Sequence, residues 1–286
     1  MIGGGVLSNN PILRFHRNLQ HPIDRFQVLG DRCSGTNFIS HLIERNFPGI
    51  SRSGDLDWKH GFIDRRICAN PGLLTAIVYR HPVRWIQSVY ANPYEVAPSQ
   101  SQLPFDAFIR AEWNPVWFER KKDGSVTYIP IQGDMYPHTT TPFENICRMR
   151  SVKVKYLEEI ASLPSQVVYL RYEDANRRPR RFIRELATAF GLEPARSFRP
   201  VREYKGVRAI RYRPARYPEL APSDLAFLQS ELDLEQEVRI GYNLHAPAPM
   251  DGLMPWARPA LRGILSRREP GSWFPGRSRG RKSKDA

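Results

Sequence analysis

The run "FQVLGDRCSGTNFISHLIERNF", Phe26 to Phe47, decides the fold. It opens on the apolar stretch Phe26 to Leu29 and ends it at Gly30, which reads as a buried strand feeding a turn. It closes with Phe38, Ile39, Leu42 and Ile43 at helical spacing, which predicts an amphipathic helix. Between them, Gly30 and Gly35 bracket four residues in the frame of a phosphate loop. Strand, glycine loop and helix are the context that such a loop requires. A nucleotide triphosphatase would continue with Lys and then Ser or Thr; this chain continues with Thr36 and Asn37. Backbone N–H groups and a helix N-terminus still make an anion hole without the lysine. Ser34, Thr36 and Asn37 add side-chain donors, and Arg32 is a nearby source of positive charge.

The same alternation continues downstream. "LLTAIVYR", Leu73 to Arg80, is apolar without polar interruption, as in strands of a parallel sheet covered on both faces. A helix is expected to resume after Pro82. Ser165 to Asp174 predicts another strand. "RRFIRELATAFGL" predicts a helix with Phe182, Ile183, Leu186 and Phe190 on one face and Gly191 as its stop. The expectation is an α/β fold of the P-loop NTPase-like kind, with a mainly parallel central sheet flanked by helices. Residues 1–22 are expected to be an N-terminal extension and 23–245 the main domain. Residues 91–150 read as a helical or irregular insertion rich in aromatics and prolines, including Trp113, Trp117, Phe118, Tyr128 and Tyr136. Such a segment is either a lid or acceptor region, or an ordinary satellite subdomain. Closing helices are expected between Ser223 and Leu244. Residues 246–286 read as a basic, mostly disordered tail with a short helical stretch around "WARPALRGIL".

The formal net charge is +14, of which the tail carries +6 from nine Lys or Arg against three Asp or Glu. An anionic partner follows: phosphorylated cofactor, acidic glycan, nucleic acid or membrane surface. Three cysteines, Cys33, Cys68 and Cys147, give no CxxC pair and no even framework, so a reducing, cytoplasmic setting is the simpler expectation. No apolar run approaches the ~18 residues of a membrane span, and the start of the chain makes a poor signal peptide.

Two further stretches carry chemistry. In "YRHPVRWIQSVY", Arg80 ends a buried strand and Ser88 follows eight residues later, expected near the first turn of the next helix. Ligands of open α/β sheets bind at the carboxyl ends of strands, where an Arg and a Ser can share one phosphate. In "DWKHGF", Lys59 and His60 stand between apolar residues. His can take a proton from an incoming hydroxyl near neutral pH, and Lys can stabilise charge on a leaving phosphate.

Together these stretches resemble the sulfotransferases that use 3′-phosphoadenosine 5′-phosphosulfate (PAPS). "RCSGTNF" is similar to that family's lysine-poor loop for the 5′-phosphosulfate. Arg80 and Ser88 have the spacing of its 3′-phosphate pair, and "WKHGF" looks like its acceptor-activating element. "LRYEDANRRP" resembles its later strand and helix, with Tyr172 or Phe38 against adenine. The resemblance spans roughly Phe26 to Leu244. It implies a PAPS cofactor, no catalytic metal, and sulfuryl transfer to a hydroxyl or amine of a small-molecule or glycan acceptor. On this reading Arg32, Cys33, Ser34, Gly35, Thr36, Asn37, Phe38, Arg80, Ser88 and Tyr172 bind the nucleotide, and His60, Lys59 and Arg32 carry the catalysis.

Cys33 stands where the familiar enzymes have the loop lysine, so either Arg32 bends in or Lys59 takes over its duty. Lys59 and His60 are adjacent, and adjacent side chains on a strand face opposite ways; His60 is the preferred base, with Asp57 in reserve. Lys205 and Gly206 are the nearest counterpart to the family's late Arg-Lys-Gly segment. Two other readings stay open from sequence. One is a P-loop kinase or nucleotide hydrolase; the other is a non-catalytic polyanion binder using the basic tail.

Overall fold

The computed structural model describes residues 12–17, 21–62, 70–160, 166–204, 207–211 and 215–246. The chain divides into two units, Met1–Leu253 and Met254–Ala286; the second, like Lys205, Gly206 and the expected helical stretch in the tail, lies outside the described residues.

A mixed, mostly parallel five-stranded sheet forms the centre. Its strands are β1 (Ile12–His16), β2 (Arg25–Leu29), β3 (Ser51–Arg52), β4 (Leu73–Tyr79) and β7 (Gln166–Arg171), in the order β1-β7-β4-β2-β3. β3, β2, β4 and β7 run parallel, with Phe26 opposite Leu74 and Tyr79 opposite Arg171. β1 is antiparallel to β7, so the sheet reaches into the stretch expected to be an N-terminal extension.

All seven residues of β4 are buried because both of its faces are covered. Leu74, Ala76 and Val78 join Phe26 and Val28 beneath α1 (Thr36–Asn46) and α7 (Pro179–Phe190). Leu73, Ile77 and Tyr79 join Leu29, Val167 and Tyr169 on the other face, beneath α5 (Ile146–Glu159). α7 buries Phe182, Ile183, Leu186 and Phe190, each worth about 1.5–3 kcal/mol when removed from water. It stops at Gly191, whose φ of 66° is the left-handed cap conformation.

The expected insertion holds two short helices, α3 (Pro98–Ser101) and α4 (Phe105–Arg110). A hairpin follows, β5 (Val116–Arg120) with β6 (Val126–Pro130), and then a 3₁₀ turn at Gln132–Asp134. Its aromatics divide. Trp113 is fully buried with Trp85, Phe108 and Phe143, whereas Phe118 and Tyr128 face solvent from opposed positions of the hairpin. α2 (Pro82–Ala91) and α6 (Tyr172–Arg177) each follow directly on a sheet strand, and α8 (Pro222–Glu231) and α9 (Leu234–Arg239) close the described chain. No described helix is long and apolar enough to cross a membrane.

Candidate active site

The glycine loop lies at the carboxyl end of β2, between that strand and α1. Gly30 has φ 152°, and a Cβ there would stand 2.5 Å from the Val78 carbonyl oxygen, so only glycine fits. Cys33 adopts a left-handed φ of 60° and Gly35 one of 96°, which turns the chain sharply into the helix. Gly35 is the N-cap of α1 and offers no side chain to its first N–H groups. Ser34 is 1% exposed and its Oγ has no hydrogen-bond partner. An uncapped helix start and an unpaired buried hydroxyl in one loop suit an anion.

Residues 57–60 leave strand geometry: Asp57 has φ 57° and a turn follows at Lys59 and His60. That bend removes the objection to adjacent side chains, and both reach the loop. The Lys59 Nζ donates to Asn37 Oδ1 at 2.5 Å. His60 Nδ1 lies 2.6 Å from the Gly30 carbonyl oxygen, while the Gly30 N–H donates to the Lys59 carbonyl oxygen at 3.1 Å. A carbonyl oxygen can only accept, so Nδ1 carries the proton and Nε2 is left as the basic nitrogen. Burial, reinforced by the Lys59 charge, pushes the His60 imidazole well below its ordinary value. Asp57, the reserve base, is exposed and is held through its backbone carbonyl by Gln27.

The Arg80 side chain and the Ser88 main chain both meet Cys33. Arg80 Nη1 donates to the Cys33 carbonyl oxygen at 2.9 Å, and Cys33 Sγ lies 3.6 Å from the Ser88 carbonyl oxygen. α2 begins at Pro82, so Ser88 sits in its second turn rather than its first. Tyr172, expected against adenine, is instead 4% exposed and underlies the loop. A Cβ on Gly35 would come within 2.2 Å of its ring, Phe38 meets it edge-on at 5.8 Å, and the Arg80 guanidinium lies 5.2 Å from its centre. Its ring is thus packed within the protein, and Phe38 is half-buried beside it.

Arg32 corrects a second expectation. Its guanidinium turns away from the loop, donating through Nη1 to Asp134 and through Nε to Glu95 at 3.0 Å, both in the insertion. Burial opposes its charge, but Asp134 and Glu95 hold its pKa above the ordinary value. Lys59, by contrast, reaches the first turn of α1 through Asn37.

Several participants were not read from the sequence. Asp134 is fully buried and accepts from Arg32, from Lys153 Nζ and from Trp113 Nε1 at 2.8 Å. Burial works against its ionisation, yet the Arg32 and Lys153 charges keep its carboxyl below the usual value. Lys153 also lies 3.7 Å from Asp31, whose carboxyl burial pushes up. Trp58 packs edge-on against His60 at 5.7 Å and Trp117 at 5.5 Å, with the Arg32 guanidinium 5.0 Å from its ring. Arg150 and Glu173, both buried, stand behind Arg80. α5 did carry a signal: Ile146, Met149, Arg150, Lys153, Val154 and Leu157 share its buried face, so two cations occupy core spacing.

Among the described residues, no group of three or more His, Cys, Asp or Glu is set to hold a metal. A depression of about 410 Å³ lined by Leu234, Val238 and Leu244 shares no residue with the loop. No protein-family model, curated protein or solved structure matches the chain.

Proposed function

We propose that the protein transfers a sulfuryl group from PAPS to a hydroxyl or amine, using a P-loop-like domain. One observation carries this reading: the side chains of two adjacent residues, Lys59 and His60, are both latched to a lysine-free glycine loop and the helix that follows it. The residues suit a nucleotide with phosphates at both ends. The α1 N-terminus and Ser34 suit the 5′ group, while Arg80, beside Cys33, is assigned to the 3′-phosphate together with the Ser88 hydroxyl.

When bound, PAPS supplies an activated sulfuryl group on a phosphate leaving group. His60, held by Gly30, receives the acceptor's proton on Nε2. Lys59 keeps positive charge over the loop as negative charge grows on the departing phosphate. Trp58 and Trp117 wall the base on one side and limit water there. Positioning and charge stabilisation supply most of the rate. Replacing His60 with Ala is expected to lower kcat by about 10²–10⁴-fold.

Titration calorimetry with adenosine 3′,5′-bisphosphate, on wild type and Arg80→Ala, tests the reading. Binding by wild type and its loss in the variant are expected. No binding to wild type ends the PAPS proposal; equal binding to both ends the assignment of Arg80. A magnesium requirement with ATP turnover would favour a kinase or hydrolase instead.

A further inference from the structure

The basic excess is concentrated in one segment. Residues 177–216 contain thirteen Lys or Arg against three Asp or Glu, a net +10, and twelve of the thirteen are Arg. With +6 in residues 246–286, the remainder of the chain nets −2. The bias therefore belongs to one segment, part of whose described residues line one flank of the domain, and to the tail.

On that flank Arg177 ends α6, and Arg180 and Arg184 share the solvent face of α7, opposite Phe182, Ile183 and Leu186. Arg196, Arg199 and Arg202 follow in the segment after the helix, and all six are exposed. Arg177, Arg184, Arg196 and Arg199 form no ion pair among the described residues, and two of the segment's three acids are taken by Arg181 and Arg45. α7 starts at the sheet edge where Tyr172 underlies Gly35. Over its length of roughly 18 Å it runs toward the other end of the strands, where Phe190 packs on Phe15 of β1. There the chain folds back on the end of α1, with Ala195 N–H on the Asn46 carbonyl oxygen and Arg199 N–H on Asn46 Oδ1, both at 2.8 Å. The exposed arginines thus follow a track from the loop's edge down the flank.

We propose that this track docks an acidic polysaccharide, a hydroxyl of which is the acceptor; the acceptor role rests on the transferase reading above. Guanidinium forks match carboxylate and sulfate groups in pairs. A single-stranded nucleic acid would call for aromatic platforms, and an inserted membrane contact for apolar ones. None of the exposed large apolar side chains of the described residues falls in this segment.

The test is fluorescence anisotropy of a labelled chondroitin sulfate oligosaccharide of defined length. It is titrated with the full chain as wild type, Arg180→Glu/Arg184→Glu and Arg196→Glu/Arg199→Glu. Each pair is expected to weaken binding about tenfold and to flatten its salt dependence. Thermal melting checks that the variants fold, and bisphosphate binding in the same samples is expected to be unchanged. No binding by wild type, or equal binding by all three chains, overturns the track. Tighter binding of duplex DNA or of vesicles with anionic lipid, lost in the same variants, overturns the polysaccharide as occupant. Wild type that binds the oligosaccharide but not the bisphosphate removes the transferase reading and leaves the track standing.

Discussion

Arg150 and Glu173 hold the two ends of a single peptide group. Arg150 Nη2 donates to the Arg80 carbonyl oxygen at 2.9 Å, and Glu173 Oε1 accepts from the His81 N–H at 2.8 Å. Arg150 is itself fixed by both oxygens of Glu237, at 2.6 and 2.9 Å, and Glu173 by the Tyr242 hydroxyl at 2.8 Å. The peptide that orients Arg80 is therefore clamped by α5, α6, α9 and the turn after α9.

The clamp predicts a selective loss. Arg150→Lys keeps the charge beside Glu237 but cannot make all three bonds. Its affinity for adenosine 3′,5′-bisphosphate should fall roughly tenfold or more, in line with a weakened charged hydrogen bond. Affinity for adenosine 5′-monophosphate, which lacks the 3′ group, should hold. Glu173→Ala should act the same way, and Glu173→Gln, which still accepts from His81, should restore binding. Parallel losses for both nucleotides would reduce the pair to a purely structural role.

Lys59 and Arg32 should fail differently. Lys59→Met removes the cation at the loop and is expected to cost about 3 kcal/mol of transition-state stabilisation, with little change in melting temperature. Arg32→Met strands Asp134 beside Lys153 and should cost about 3–5 kcal/mol of folding stability. Kinetics and thermal melts of the two variants separate these effects; a stable Arg32→Met enzyme with a collapsed kcat would return Arg32 to the catalytic set.

His60 should respond to nucleotide. In the free protein burial and Lys59 hold its pKa well below the ordinary value. Phosphate charge beside the ring favours the imidazolium, so the bisphosphate should raise that pKa. NMR titration of the His60 ring, with and without nucleotide, measures the change. Activity should be level above the raised pKa and fall as the pH drops through it, because a protonated Nε2 accepts nothing. An unmoved pKa would put the phosphates elsewhere.

His81 predicts acid sensitivity of the fold. It is 3% exposed, its Nδ1 has no hydrogen-bond partner, and burial together with Arg150 and Arg84 lowers its pKa to about 3. The unfolded chain protonates this ring near 6.5, so its contribution is complete above that pH and declines as the pH falls toward 3. The decline approaches about 1.4 kcal/mol per pH unit. His81→Phe, which keeps a ring against Tyr242, should remove that part of the slope in urea unfolding between pH 6 and 4. An unaltered slope would assign the acid limb to other groups.

The sheet strands and their helices were legible because their signals are local. β4 is an uninterrupted apolar run, and α7 repeats Phe182, Ile183, Leu186 and Phe190 on one face. The loop was legible for the same reason. The position of Arg32 was not, because its partners Glu95 and Asp134 stand 63 and 102 residues away. The burial of Tyr172 was not legible either, because it depends on Gly35, far away in the chain, packing over its ring. Lys59 and His60 were doubted on strand geometry, and the turn that frees them depends on a left-handed Asp57 that no neighbouring residue announces.

Asp134 sets a limit on trimming this protein. It lies within the insertion, yet it is the shared counter-charge for Arg32 from the glycine loop and Lys153 from α5. Excising residues 91–145 to make a smaller protein would take that counter-charge from two buried cations and leave Asp31, 3.7 Å from Lys153, as the nearby acid. Any shortened or transplanted version must carry Asp134 along, or replace both cations with apolar side chains of matching volume.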